Sequence, residues 1–312
     1  MVHARPRPRR PLDPVVFRPP RSLGVIVGGA FSAWAFIGAF FAARAALGSE
    51  AELKTFLAWL ACAVLVFMGM VFANWTFAVF SMSYAIDRNA LTIRWGFRRV
   101  IVPIDTIQRM VPGRTLDEAK VSGLNWWGCH VGSADVKRVG FALFYSTHST
   151  PDELLYVVTT DESYALTVLD QAAFAEEIQG RAAVGPVGRH LQRSTAHGVA
   201  AFPFWRDRVA LAAAMAMVIS CAAVCGYVYA RYPGLPAVVE INFPSLGGIV
   251  RVGDKSQLLR IAYASLGIAA TNLALGIVVH ARERAAGIWV LISGAMIQGV
   301  LFAAALLAFY RA

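Results

Sequence analysis

A chain of 312 residues could make two soluble domains, but 57% of this one is hydrophobic and only 15% charged, which excludes a disordered, fibrous or freely soluble protein. Four cysteines are too few for a disulfide framework. The net charge of +10 is unevenly placed: residues 83–182 hold ten Lys plus Arg against twelve Asp plus Glu, so no nucleic-acid-binding face is expected.

Residues 1–21 read as a basic, Arg- and Pro-rich tail that orients the first helix and can lie against anionic lipid. Five stretches without Asp, Glu, Lys or Arg come next: Ser22 to Ala43, Thr55 to Ile86, Val209 to Ala230, Ile261 to Ala281 and Ala285 to Tyr310. Each has the roughly 20 residues that cross about 30 Å of hydrocarbon. The first is longer than the apolar core of a cleaved signal peptide and is read as a helix. The second is longer than one crossing needs, so Met82 to Ile86 are expected to leave the membrane as a strand. Helices one and two therefore occupy 22–81, and helices three to five occupy 207–312 around an outer loop at 231–258.

Between helices two and three the period of hydrophobicity falls to two. Tyr84-Ala-Ile86, Leu91-Thr-Ile93-Arg-Trp95, Val100-Ile-Val102, Phe141-Ala-Leu143, Leu155-Tyr-Val157 and Tyr164-Ala-Leu166 are short β-branched or aromatic runs separated by polar turns. Asp170 is placed to cap a helix to about Arg181, with Phe174 and Ile178 on one face. The predicted fold class is an α-helical integral membrane protein with an inserted β-rich domain at 82–182, of about seven antiparallel strands and one C-terminal helix, joined by a linker at 183–206. Gly113 to Gly140 reads as its longest irregular piece. It carries Trp126, Trp127 and His130, which either line a pocket, insert at the membrane interface, receive a partner, or plug the open end of the sheet.

Sixteen arginines border one side of the proposed membrane and seven Lys or Arg the other. The positive-inside rule then puts the N-terminus and the inserted domain in the cytoplasm and the C-terminus outside, in a multi-pass protein of a bacterial cytoplasmic membrane.

The run Tyr84-x-Ile86-x4-Leu91-x-Ile93-x-Trp95-Gly96-x-Arg98-Arg99-x-Ile101-x2-Ile104-x2-Ile107 resembles the opening of bacterial pleckstrin-homology (PH-like) domains of membrane proteins. Leu155-Tyr-Val-Val-Thr-Thr-Asp161-x2-Tyr164 with the Phe174 helix resembles their close. The resemblance covers about a hundred residues and implies a PH-like fold anchored to the membrane, as in the YdbS and YdbT type, with no catalytic residues to carry over. Leu235-Pro236-x4-Ile241-Asn242-Phe243-x4-Gly248-x4-Gly253-x-Lys255-Ser256, followed by two helices, resembles the outer loop of immunity membrane proteins related to the sporulation-delay toxin system. Asn242 stands where those proteins usually carry a histidine, and Pro244 where they carry an asparagine. The loop is either a ligand site through Asn242, Gly253 and Lys255 or a structural cap over the helix ends.

No motif for a metal, nucleotide or nucleophilic site occurs, and no cofactor is expected. Arg94, Arg98 and Arg99 form a small basic cluster. Within the membrane, Gly226 and Gly299 are read as close-packing positions, and Asn272 and Gln298 as amides that must face other helices. These features predict a non-enzymatic binding, signalling or scaffold module at the bilayer, with a protein partner or a second copy of itself. An immunity or envelope-stress factor is the alternative, and a membrane enzyme working through Cys129 and His130 a more distant one.

Overall fold

The computed structural model describes residues 13–117, 119–188, 191–240 and 252–311. The chain divides into two compact units, Met1–Trp34 with Met68–Ala201 and Ala35–Phe67 with Phe202–Ala312. Five helices are long and apolar enough to cross a membrane. They are α1 (Ser22–Ala46), α2 (Leu53–Phe80), α4 (Arg208–Arg231), α5 (Leu259–His280) and α6 (Arg284–Arg311), while α3 (Gln171–Val184) belongs to the β-rich part.

The first unit joins that β-rich part to the adjoining ends of α1 and α2. Its strands are β1 (Val15–Phe17), β2 (Ser83–Ile86), β3 (Ala90–Trp95), β4 (Arg98–Pro103), β5 (Ile107–Pro112), β6 (Ser122–Trp126), β7 (Cys129–Val136), β8 (Gly140–Ser146), β9 (Leu154–Thr159), β10 (Ser163–Thr167) and β11 (Arg193–Ala196). They make two sheets, ordered β1-β2-β3-β4-β11 and β5-β9-β10-β8-β7-β6. Local chemistry sets the turns. Asp87 Oδ1 accepts the Asn89 and Ala90 amides (2.7 and 2.8 Å), an Asx turn that reverses β2 into β3. Asp170 caps α3 by accepting the Ala173 amide at 2.9 Å, a bond whose loss costs about 1 kcal/mol.

One core, built from Tyr84, Ile86, Leu91, Ile93, Val157, Leu166, Phe174 and Ile178, joins both sheets to the inner face of α3. Tyr84 supplies the polar tie: its hydroxyl donates to the Tyr145 carbonyl at 2.7 Å and accepts the Thr167 amide at 3.4 Å. Burial pushes that phenol up from its usual pKa, so it stays a neutral donor.

Nine strands lie between Ser83 and Thr167 where about seven were expected, and β8 runs parallel to β10, so the sheet is not wholly antiparallel. Two further strands come from segments read as tail and linker: β1 pairs with β2, and β11 with β4. Neither Val15–Phe17 nor Arg193–Ala196 shows a strand period, because each is too short for a pattern and is held by the edge it joins. The stretch from Gly113 to Gly140 is also more regular than it reads. It contains the β6–β7 hairpin, whose paired glycines, Gly123 and Gly132, hide the alternation.

In the second unit α4, α5 and α6 pack together, with the two-stranded sheet β12 (Val238–Glu240) and β13 (Val252–Asp254). One apolar cluster gathers Val228, Val239, Leu258, Ala262 and Phe309, and another Phe204, Ala210, Met217 and Leu291. The tight helix approaches fall where a Cβ would meet a neighbour: Gly276 against Leu291 (2.6 Å) and Gly294 against Met217 Sδ (2.5 Å).

Candidate functional site

The first unit carries a hollow of about 610 Å³ between β5 and α3. Ile107, Met110 and Pro112 line it from the strand side, and Ala172, Ala175, Gln179 and Ala182 from the helix. Those four α3 residues follow one another at spacings of three and four, a stripe beside the buried Phe174–Ile178 face, and the three alanines among them keep the hollow open. β5 ends its sheet among the described residues, so its outer edge is not paired with another strand. Its register shifts between Ile107 and Arg109, a bulge that puts Gln108 in the lining. The Gln171 amide closes one end by donating to the Asp152 and Leu154 carbonyls (3.2 and 3.3 Å), and Arg114 adds positive charge to the wall. Sequence reading missed this place. Its one local signal was the Ala172-x2-Ala175-x3-Gln179-x2-Ala182 stripe, which reads as an ordinary solvated face.

The tryptophans of the β6–β7 hairpin separate into two roles. Trp126 packs against Phe31 of α1 (5.5 Å) and against Phe72 and Trp75 of α2 (both 5.7 Å), so it is a packing residue between the hairpin and the helix pair. Trp127 beside it is 66% exposed. Gly128 allows the approach: its φ is +73°, and a Cβ there would lie 2.7 Å from Gly24 Cα. His130 is buried and its Nδ1–H donates to Asn125 Oδ1 at 2.5 Å. Burial, and secondarily His148, lower its pKa, so it is neutral at pH 7. Burial pushes the Cys129 thiol up to about 11, which leaves it protonated and a poor nucleophile at neutral pH.

The three arginines of β3 and β4 do not form one patch. Arg94 pairs directly with Arg99, both exposed on one face, whereas Arg98 is opposite Trp95 on the other face and bonds the Tyr145 hydroxyl. Strand alternation separates adjacent residues in this way whatever their chemistry.

In the second unit Gln298 and Ser265 bond each other twice: the Ser265 hydroxyl donates to Gln298 Oε1 (2.5 Å) and the Gln298 amide to the Ser265 carbonyl (2.9 Å). Asn272 is not part of that network and donates to the Ile268 carbonyl of its own helix. A Cβ at Gly226 would lie 3.1 Å from the Phe56 ring, but one at Gly299 would meet nothing within 4 Å, so Gly299 is not a packing position among the described residues. Asn242 lies outside the described residues. Gly253 pairs with Val239. Lys255 sits 4.9 Å over the Tyr232 ring and donates to the Leu235 carbonyl, so both act to hold the loop together.

A charged cluster that sequence reading missed joins the ends of three helices. Asp207, the N-cap of α4, accepts the Val209 and Ala210 amides. It also accepts Arg284 Nε at 2.5 Å and His280 Nε2 at 3.0 Å. The Arg284 bond first, and the His280 bond next, hold the carboxyl well below the usual carboxylate range. Its partners are more than seventy positions away, so no local motif marks it. Among the described residues no group of three or more His, Cys, Asp or Glu is gathered as a metal would require.

Residues 82–182 match the family model of the bacterial PH domain, so this segment is PH-like. No curated protein and no solved structure matches the chain.

Proposed function

We propose that this protein is a membrane-anchored, non-enzymatic scaffold that presents its PH-like domain at the cytoplasmic face of a bacterial membrane and binds a partner in the hollow between β5 and α3. The open β5 edge beside a small-residue face of α3 carries this reading. An extended partner segment can add to that edge through main-chain hydrogen bonds while its alternate side chains enter the apolar floor. Arg114 on the wall favours a segment with acidic residues.

A photo-crosslinking residue at Gln179 in native membranes is expected to yield a discrete adduct, with a second copy of the chain as one identity of the partner. Ala175→Trp fills the hollow and is expected to reduce that adduct about tenfold, equivalent to about 1.4 kcal/mol. An adduct that Ala175→Trp leaves unchanged places the partner elsewhere.

The orientation is supported by the sixteen-to-seven bias in basic residues. A reporter fused after Thr160 is expected to read as cytoplasmic and one after Glu50 as external. The opposite pattern puts the hollow outside the cell and removes the proposed setting.

A further inference from the structure

Two hairpin tips in the first unit carry large apolar side chains that the protein leaves uncovered. Trp127, in the β6–β7 turn, is 66% exposed, and Phe97, in the β3–β4 turn, is 49% exposed. Both lie beside α1 or α2, and their level along those helices can be read from the helical rise.

Arg21 marks the boundary. Its guanidinium lies 4.7 Å over the Phe80 ring and donates to the Phe80 carbonyl, tying the start of α1 to the end of α2. Trp126 contacts Phe31, nine residues into α1, and Phe72, eight residues from the end of α2. At about 1.5 Å per residue these contacts are about 13 and 12 Å from the helix ends. The helices are about 37 and 42 Å long against a hydrocarbon core of about 30 Å, so about 4–6 Å of each end belongs to the headgroups. Phe31 and Phe72 then lie about 6 Å or more inside the hydrocarbon. Trp127 is 6.3 Å from Trp126 by ring centroids. Phe97 packs at 5.2 Å on Phe77, about 4–5 Å from the end of α2 and so at the headgroup boundary.

We infer that the two hairpin tips are immersed in the bilayer leaflet on the domain's side, with Trp126 reaching the acyl chains and Trp127 and Phe97 at their upper edge, since Gly128 beside Trp127 packs on Gly24, two residues into α1. This rests on α1 and α2 crossing the bilayer. The tips cover apolar surface with lipid, as interfacial aromatics do. The cross-strand pair of Arg94 and Arg99 fits the same placement. Like charges directly opposite repel, and both arginines adjoin the Phe97 turn, where lipid phosphates lie between and above them. The PH-like domain is thereby fixed in height against the membrane instead of swinging on a tether.

The experiment uses the full chain in phosphatidylethanolamine and phosphatidylglycerol vesicles, with the four native cysteines replaced and a nitroxide at one site in turn: Trp127→Cys, Phe97→Cys, Ile26→Cys and Asp161→Cys. Ile26 is 68% exposed on α1 and reports whether that helix is in lipid. Asp161, in the β9–β10 turn, is the aqueous reference. Power saturation by oxygen and by a water-soluble nickel chelate is expected to place labels 127 and 97 in the leaflet near the upper edge of the acyl chains and label 161 in water. Label 26 in lipid with labels 97 and 127 both in water overturns the inference while leaving the spans intact. Label 26 in water overturns both readings. A label 127 shielded from both relaxants means that protein, not lipid, covers the tip, and also overturns the inference. Because Phe97 and Trp127 are both outside the core, failure of one variant to fold leaves the other to decide.

Discussion

Gly128→Ala is expected to detach the β6–β7 hairpin from α1 and to cost about 3 kcal/mol or more. Two effects combine. A left-handed backbone conformation costs a non-glycine residue about 1–2 kcal/mol, and Gly128 has φ +73°. The added Cβ would also lie 2.7 Å from Gly24 Cα, and backbone inside a helix cannot give way as a flexible side chain can. The hairpin must retreat, taking Trp126 from its three aromatic neighbours on the helices, each worth about 0.5–1.5 kcal/mol. Gly24→Ala separates the two causes. Gly24 is helical, where alanine alone is favoured by about 1 kcal/mol, yet its Cβ would approach the Gly128 carbonyl oxygen to 2.6 Å. Both variants are expected to lower the melting temperature of the full-length protein and to open the hairpin to protease. Wild-type melting in both would mean that the contact does not hold the domain.

Asp207→Asn is expected to lower the melting temperature by several degrees and to make the loss depend on pH. The carboxylate side chain is only 9% exposed, and it joins the α4 N-terminus to Arg284 and to His280, itself 2% exposed. An amide keeps part of the cap but loses the ionic bond to Arg284 and turns a donor toward one of the two donors that face it. The carboxyl's pKa is lower in the folded than in the unfolded protein. Its contribution is therefore fully present above the ordinary carboxylate range, around pH 4, and falls away as the pH drops below it toward the folded value. The melting gap between wild type and Asp207→Asn is expected to be present at pH 7 and to narrow on acidification below the ordinary carboxylate range. A gap that is absent at pH 7, or that widens in acid, would remove the cluster from the account of stability.

Much of the architecture was legible because its signals are local. An uninterrupted apolar run identifies a span wherever its neighbours lie, and alternation along Leu91-Thr-Ile93-Arg-Trp95 identifies a strand. The candidate site was less so. Arg94, Arg98 and Arg99 are close in sequence, but the pleat puts Arg98 on the core side and leaves the other two together. Gly299 stands in a stripe of small residues, yet a Cβ there would meet no described residue within 4 Å, whereas one at Gly294, outside that stripe, would meet the Met217 sulfur.

The chain's own order of residues determined the five helices long and apolar enough to cross a membrane, the β-rich insert between the second and third, and the capped helix that closes it, since hydrophobic period and capping chemistry act within a few residues. Tertiary structure alone decided that Trp126 packs on α1 and α2 while Trp127 is left bare, that residues 15–17 and 193–196 become edge strands, and that Asp207 gathers Arg284 and His280. Each of those outcomes depends on groups brought together from distant parts of the chain. The energy that selects them, aromatic contact, edge hydrogen bonding or charge pairing, exists only after the local elements have packed.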